Sequence, residues 1–164
     1  MDGDTTVTLR SLHPRVQVVW IAESVVGALV FAALAGVVSA FFAGLTTRTG
    51  LVAAGVFVVL TVVGSVLAVA RYRRWRYALY DDHLYLERGV FTRVKTVVPF
   101  VRVQHVDARR GPVERLAGLA TSVVYTAGSR GADVTIPGLT PTGADDLQDQ
   151  LKRLAIDAEP EDAV

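Results

Sequence analysis

Hydrophobic residues follow two different patterns along this chain. Between Val18 and Ala70, 38 of 53 residues are apolar, and only Glu23 and Arg48 carry charge. Two uncharged runs lie inside this stretch, 24–47 (24 residues) and 49–70 (22 residues). Uncharged apolar runs of about 18 residues or more read as membrane spans. The pattern predicts one transmembrane helix over 19–42 and a second over 51–70. A helix of about 21 residues covers about 32 Å, enough for the hydrocarbon core. The connection 43–50 is short and reads as a tight turn, so the two helices form a hairpin.

From residue 77 the pattern changes to a period of two. Residues 77–80 and 83–88 flank Asp81-Asp82 and read as a β-hairpin with a two-residue turn. Residues 91–98 and 101–107 are β-branched runs parted by Pro99. Gly111-Pro112 breaks them, and 113–119 reads as a helical turn with Leu116 and Leu119 facing inward. Residues 121–126 and 132–136 read as strands around a loop at 127–131. The last element is a helix with Thr142 as its N-cap and Asp145 and Asp146 in its first turn. Leu147, Leu151 and Leu154 form its apolar stripe. The polar tail 159–164 reads as disordered. Six or seven short strands closed by one amphipathic helix suggest a small bent sheet or open barrel.

Charge orients the hairpin. Arg71, Arg73, Arg74 and Arg76 follow the second span, Arg10 and Arg15 precede the first, and the turn holds only Arg48. The positive-inside rule places both termini in the cytoplasm. Trp20 and Trp75 join the arginines as expected membrane-interface residues, in contact with anionic headgroups without headgroup specificity. An n-region containing Asp2 and Asp4 and an overlong apolar run argue against a cleaved signal peptide. The segments are then a cytoplasmic 1–17, the hairpin 18–70, a basic juxtamembrane stretch 71–76, a β-rich domain 77–158 and the tail 159–164.

The first span carries a small residue at every fourth position: Ser24, Ala28, Ala32, Gly36, Ala40 and Gly44. Such a stripe lets a second helix approach closely. It serves packing within the hairpin or a homo-oligomer. Glu23 is the one acidic residue inside a span. It either snorkels or bonds the Arg71–Arg76 cluster, or it lies on a proton or ion path.

Four segments in order resemble the bacterial pleckstrin-homology-like family of YdbS-like membrane proteins. They are Tyr80-Asp-Asp-His-Leu-Tyr-Leu-Glu-Arg-Gly89, Val98-Pro-Phe-Val-Arg-Val-Gln-His-Val106, Gly111-Pro-Val-Glu-Arg-Leu-Ala-Gly-Leu-Ala120 and Thr126-Ala-Gly128. The resemblance covers about 80 residues, and the two preceding spans fit the family's layout. It implies a seven-stranded bent sheet with a capping C-terminal helix, and a membrane-tethered interaction module sometimes accompanied by a longer relative with several such domains. The first hairpin loop is the short, acidic Asp81-Asp82, which would repel an inositol phosphate, so lipid-headgroup recognition is not carried over.

Chemistry outside the membrane is sparse. The chain has no cysteine, which excludes disulfides and thiolate sites. His13, His83 and His105 lack metal-ligand spacing, and no catalytic motif or cofactor loop is present. His105 and Asp107 share a strand face, as a surface pair or an acid–base dyad. The run Arg71-Tyr-Arg-Arg-Trp-Arg-Tyr77 mixes cations and aromatics as nucleic-acid patches do, but its place below a membrane span favours lipid. A second basic set, Arg88, Arg93, Lys95, Arg102, Arg109, Arg110 and Arg115, is either a solvated face or a docking face for an acidic partner. The expected function is a non-enzymatic, membrane-anchored interaction or self-assembly module without cofactor, metal or nucleic acid. The alternative is a small oligomeric channel or transport subunit using Glu23.

Overall fold

A computed structural model of the chain describes residues 9–127 and 133–158. The segment 1–8, most of the expected loop at 127–131 and the tail at 159–164 lie outside the described residues. The chain divides into two units: a helical hairpin, residues 17–73, and a β-rich unit built from residues before and after it.

The hairpin comprises α1, Arg15–Ala43, and α2, Thr47–Arg74. Both are longer than expected, because the helices continue through the flanking polar residues. The turn is correspondingly shorter. Gly44 takes a left-handed conformation (φ 73°), and its N–H donates to the Ala40 carbonyl at 2.8 Å. That conformation stops α1, and glycine adopts it without a side-chain penalty. The Thr49 hydroxyl donates to the Gly44 carbonyl at 2.8 Å. Arg48 therefore lies in the first turn of α2 rather than in a loop.

Small residues pack the hairpin. Ala28, Ala32 and Ala68 are buried. A β-carbon placed on Gly36 would touch the Ala53 β-carbon at 3.4 Å, and one on Gly64 would meet the Ser24 β-carbon at 2.7 Å. The stripe on α1 thus serves contact between α1 and α2. Gly44 is an exception to the expected stripe: it is the exposed helix cap, beyond the last turn of α1.

The β unit holds two three-stranded antiparallel sheets. In the first, β1 (Arg76–Leu79) pairs with β2 (His83–Arg88), which pairs with β3 (Val94–Pro99). Leu79 faces Leu84, and the Tyr80 N–H donates to the His83 carbonyl at 2.9 Å, so Asp81-Asp82 is a two-residue turn. A 3-10 turn, Phe100–Arg102, leads to the second sheet: β4 (Val103–Arg109), β5 (Ala120–Thr126) and β6 (Val134–Leu139). The short helix α3, Pro112–Ala117, joins β4 to β5, and α4, Pro141–Asp157, packs against β4, β5 and the 3-10 turn. The described residues thus hold six strands, within the six or seven expected from the sequence.

Period-two patterning explains the core. Leu84 and Leu86 alternate inward on β2, Val134 and Ile136 on β6, and Leu147 and Leu151 close the unit from α4. Two expectations fail here. Leu116 is 91% exposed; α3 ends at Ala117, and only Leu119 beyond it turns inward. The N-cap of α4 is Thr140, whose hydroxyl accepts the Gly143 N–H at 3.0 Å. Pro141 then occupies the first helical position, where its missing N–H costs nothing. Asp145 and Asp146 consequently lie beyond the first turn.

The residues before α1 are not a separate segment. Arg10 and Tyr77 exchange backbone hydrogen bonds of 2.7 and 3.0 Å, Leu12 is 1% exposed, and the His13 N–H donates to the Gly138 carbonyl at 2.8 Å. The domain is closed by chain from both sides of the hairpin.

Candidate interaction surfaces

Strand β4 forms one edge of the second sheet. Its register with β5 shifts between Val103 and His105, a bulge that leaves Gln104 without a partner residue. Farther along, the Gln148 amide of α4 donates to the Val106 carbonyl at 2.8 Å. This bond fixes α4 beside the strand. Between them lies a groove of about 430 Å³. Phe100, Val101 and Val103 line one side, and Lys152, Ala155 and Ile156 of α4 line the other. Val101 is 63% exposed and Ile156 61%. An open strand edge beside apolar walls suits an extended peptide, which can pair its backbone and bury alternate side chains.

The outer face of β4 carries a polar cluster. His105 stacks on Tyr125 with ring centroids 4.1 Å apart and planes at 18°. Arg109 donates to the Tyr125 hydroxyl and pairs with Asp107 at 3.4 Å. His105 and Asp107 therefore have separate partners and form no dyad. At the other end of the domain, His83 Nδ1 lies 2.5 Å from Asp82 and the ring stacks on Tyr80.

A model of the bacterial PH domain family matches residues 16–155, which takes in both helices and the β unit. The chain belongs to the bacterial PH domain family. It is similar to the "UPF0699 transmembrane protein YdbS" of Bacillus subtilis (strain 168), with 35% identity over 106 residues. The match covers 62% of this chain and 65% of that protein, so the chain spans a little under two thirds of its relative. No solved structure matches it.

The architecture of this bacterial PH domain protein is a two-helix transmembrane hairpin joined to a PH-like domain. Several residues singled out from sequence sit differently from expectation. Arg71, Arg73 and Arg74 are the last turn of α2, where cations complement the helix dipole. The Arg71 guanidinium lies over the Trp20 ring at 4.1 Å. Arg76 is the first residue of β1, and its side chain donates to the Trp75 carbonyl at 2.8 Å. Trp75 is only 3% exposed, so its indole is a packing group and is not free to lie among headgroups. Glu23 is exposed on α1 and makes no ion pair among the described residues, with the Arg71–Arg76 cluster or otherwise.

The second basic set does not form one docking face. Arg93 pairs with Glu87 at 3.0 Å, and Lys95 is the cross-strand partner of Glu87, so these two and Arg88 gather around the β2–β3 connection. Arg102 and Arg109 lie at opposite ends of β4, roughly 20 Å apart at the usual rise per residue. Arg109 is held by Asp107 and Tyr125, and Arg110 follows it toward α3. Sequence reasoning missed the groove. Its walls come from the 3-10 turn and the end of α4, about 50 residues apart, and no local pattern announces their meeting. Among the described residues, no group of three or more metal-ligating side chains could hold an ion.

Proposed function

We propose that this protein is a non-enzymatic membrane anchor whose PH domain lies at the cytoplasmic face and takes an extended protein segment into the groove between β4 and α4. The segment belongs to a partner protein or to a second copy of the chain. The observation that carries this reading is the groove itself: an edge strand beside two large exposed apolar side chains, Val101 and Ile156. Exposed apolar side chains facing one another across a groove mark an interaction site more often than scattered ones do. Two of the polar groups nearby are already engaged, Gln148 by Val106 and His105 by Tyr125, which favours binding over chemistry. Cytoplasmic placement rests on the cluster at Arg71, Arg73, Arg74 and Arg76 against the lone Arg48 in the turn region.

A photocrosslinking amino acid at Val101 or Ile156, in the full chain in its native membrane, tests the reading. The expected result is a discrete protein adduct from both positions, absent when the same group replaces Asp81 at the far end of the first sheet. Adducts with lipid alone, or the same adducts from all three positions, would overturn it.

A further inference from the structure

We propose a second surface, independent of the groove: two apolar-tipped basic connections, at Phe91 and Leu116, that seat the domain on an anionic bilayer. Chain order supplies the first argument. Helix α2 ends at Arg74 and β1 begins at Arg76. Arg76 pairs with Glu87, and Arg88 with Val94. The β2–β3 connection, residues 89–93, therefore projects from the sheet end at which the chain arrives from α2. The acidic turn Asp81-Asp82 projects from the opposite end.

The second sheet repeats this arrangement. Arg109 pairs with Thr121, and Ala120 with Leu139, so α3 sits at that end of β4, β5 and β6. The same end meets the start of α1. The His13 N–H donates to the Gly138 carbonyl, and β-carbons added at Gly138 and Gly118 would lie 2.5 Å from Val16 and 3.2 Å from Arg15 Nη1. Arg15 is the first residue of α1. Both connections thus lie at ends of the domain from which the chain enters a membrane helix.

Each carries a large apolar side chain in the open. Phe91 is 88% exposed and Leu116 91%. Exposed cations accompany them: Arg88, Arg93 and Lys95 around the first, Arg110 and Arg115 around the second. Both connections have a defined shape. Gly89 has φ 109°, and a β-carbon there would lie 1.9 Å from the Thr92 carbonyl oxygen, so only glycine closes the first. In the second, the Gly111 N–H donates to Glu114 Oε2 at 2.7 Å, and Gly118 ends α3 in the left-handed conformation. Apolar tips flanked by cations match a bilayer interface, where the tip enters the acyl boundary and the cations meet anionic headgroups. One residue, Trp75, separates β1 from α2.

The absence of cysteine makes the test direct. Thr92→Cys, Val113→Cys and, as control, Asp81→Cys variants of the full chain are labelled with a polarity-sensitive fluorophore. They are then reconstituted in phosphatidylcholine vesicles with or without phosphatidylglycerol. The expected result is a blue shift at 92 and 113 in anionic vesicles, with severalfold stronger quenching by lipid-borne nitroxides than at 81. Adding Phe91→Ser or Leu116→Ser should abolish the effect at its own connection while far-ultraviolet circular dichroism stays unchanged. Labels that remain water-exposed at both positions, or quenching equal in neutral and anionic vesicles, would overturn the proposal. So would a blue shift already present in detergent that grows with protein concentration, which would assign the surface to a second copy.

Discussion

Tyr77 shows how one side chain ties the chain before the hairpin to the chain after it. It lies on β1, is 6% exposed, and exchanges both backbone hydrogen bonds with Arg10. Burial raises its phenol pKa above the ordinary 10.0, outweighing the charge of Arg10 and its hydrogen bond, which both pull the other way. The consequence for stability has a definite sign. The unfolded chain releases this proton near the ordinary value, while the folded domain retains it to higher pH. The linked stability is intact below about pH 10 and is lost as pH rises from there through the folded-state value. Alkaline titration of the protein in detergent, followed by circular dichroism, should show unfolding in that window. Tyr77→Phe should weaken this step while costing about 1 kcal/mol near neutrality, through the lost bond to Arg10. An unchanged alkaline midpoint in the variant would mean that other groups govern it.

At the scale of elements, the hairpin is held by contact that only small residues permit. Gly64 and Ser24 approach so closely that a β-carbon on Gly64 would sit 2.7 Å from that of Ser24, whereas one on Gly27 would meet nothing within 4 Å. Gly64→Ala should therefore cost about 1–3 kcal/mol by forcing α1 and α2 apart. Gly27→Ala, at an open helical position, should be neutral or slightly stabilising. Helical unfolding of the two variants in detergent, compared side by side, checks this. The contrast also marks what was legible in the sequence. The four-residue spacing of Ala28, Ala32 and Gly36 gave the stripe, because helical period alone sets which residues share a face. The stripe of Leu147, Leu151 and Leu154 was readable for the same reason, and the Asp81-Asp82 turn from the period-two runs on either side of it. Leu116 was misread because its position on a helix face implies burial only if another element covers that face, and among the described residues none does. Thr140 was missed as a cap because Pro141 begins the helix two residues sooner than the expected cap at Thr142 implies. The pairing of Arg10 with Tyr77 spans the whole hairpin, and no local signal could report it.

That pairing has its largest meaning for the molecule as a whole. Arg10 precedes α1 and Tyr77 follows α2, yet the two form one β-bridge. A chain with these residues joined must cross the bilayer an even number of times between them. A first helix that was cut away, or one that alone crossed the membrane, would leave Tyr77 without its partner and Leu12 out of the core. The proposed topology thus draws on the bridge, which keeps both ends of the hairpin on one side, and on the arginine asymmetry, which favours the cytoplasm for that side. Because the chain has no cysteine, each introduced thiol would be unique. Leu45→Cys places one in the turn, at a residue 93% exposed, and Thr142→Cys places one on the exposed start of α4. In intact cells a membrane-impermeant maleimide should label position 45 but not 142. Permeabilisation should open 142 to the reagent with little change at 45. The reverse pattern would invert the protein and remove the cytoplasmic assignment. Labelling of both positions from outside would break the hairpin, and with it the closure of the domain by Arg10 and Leu12.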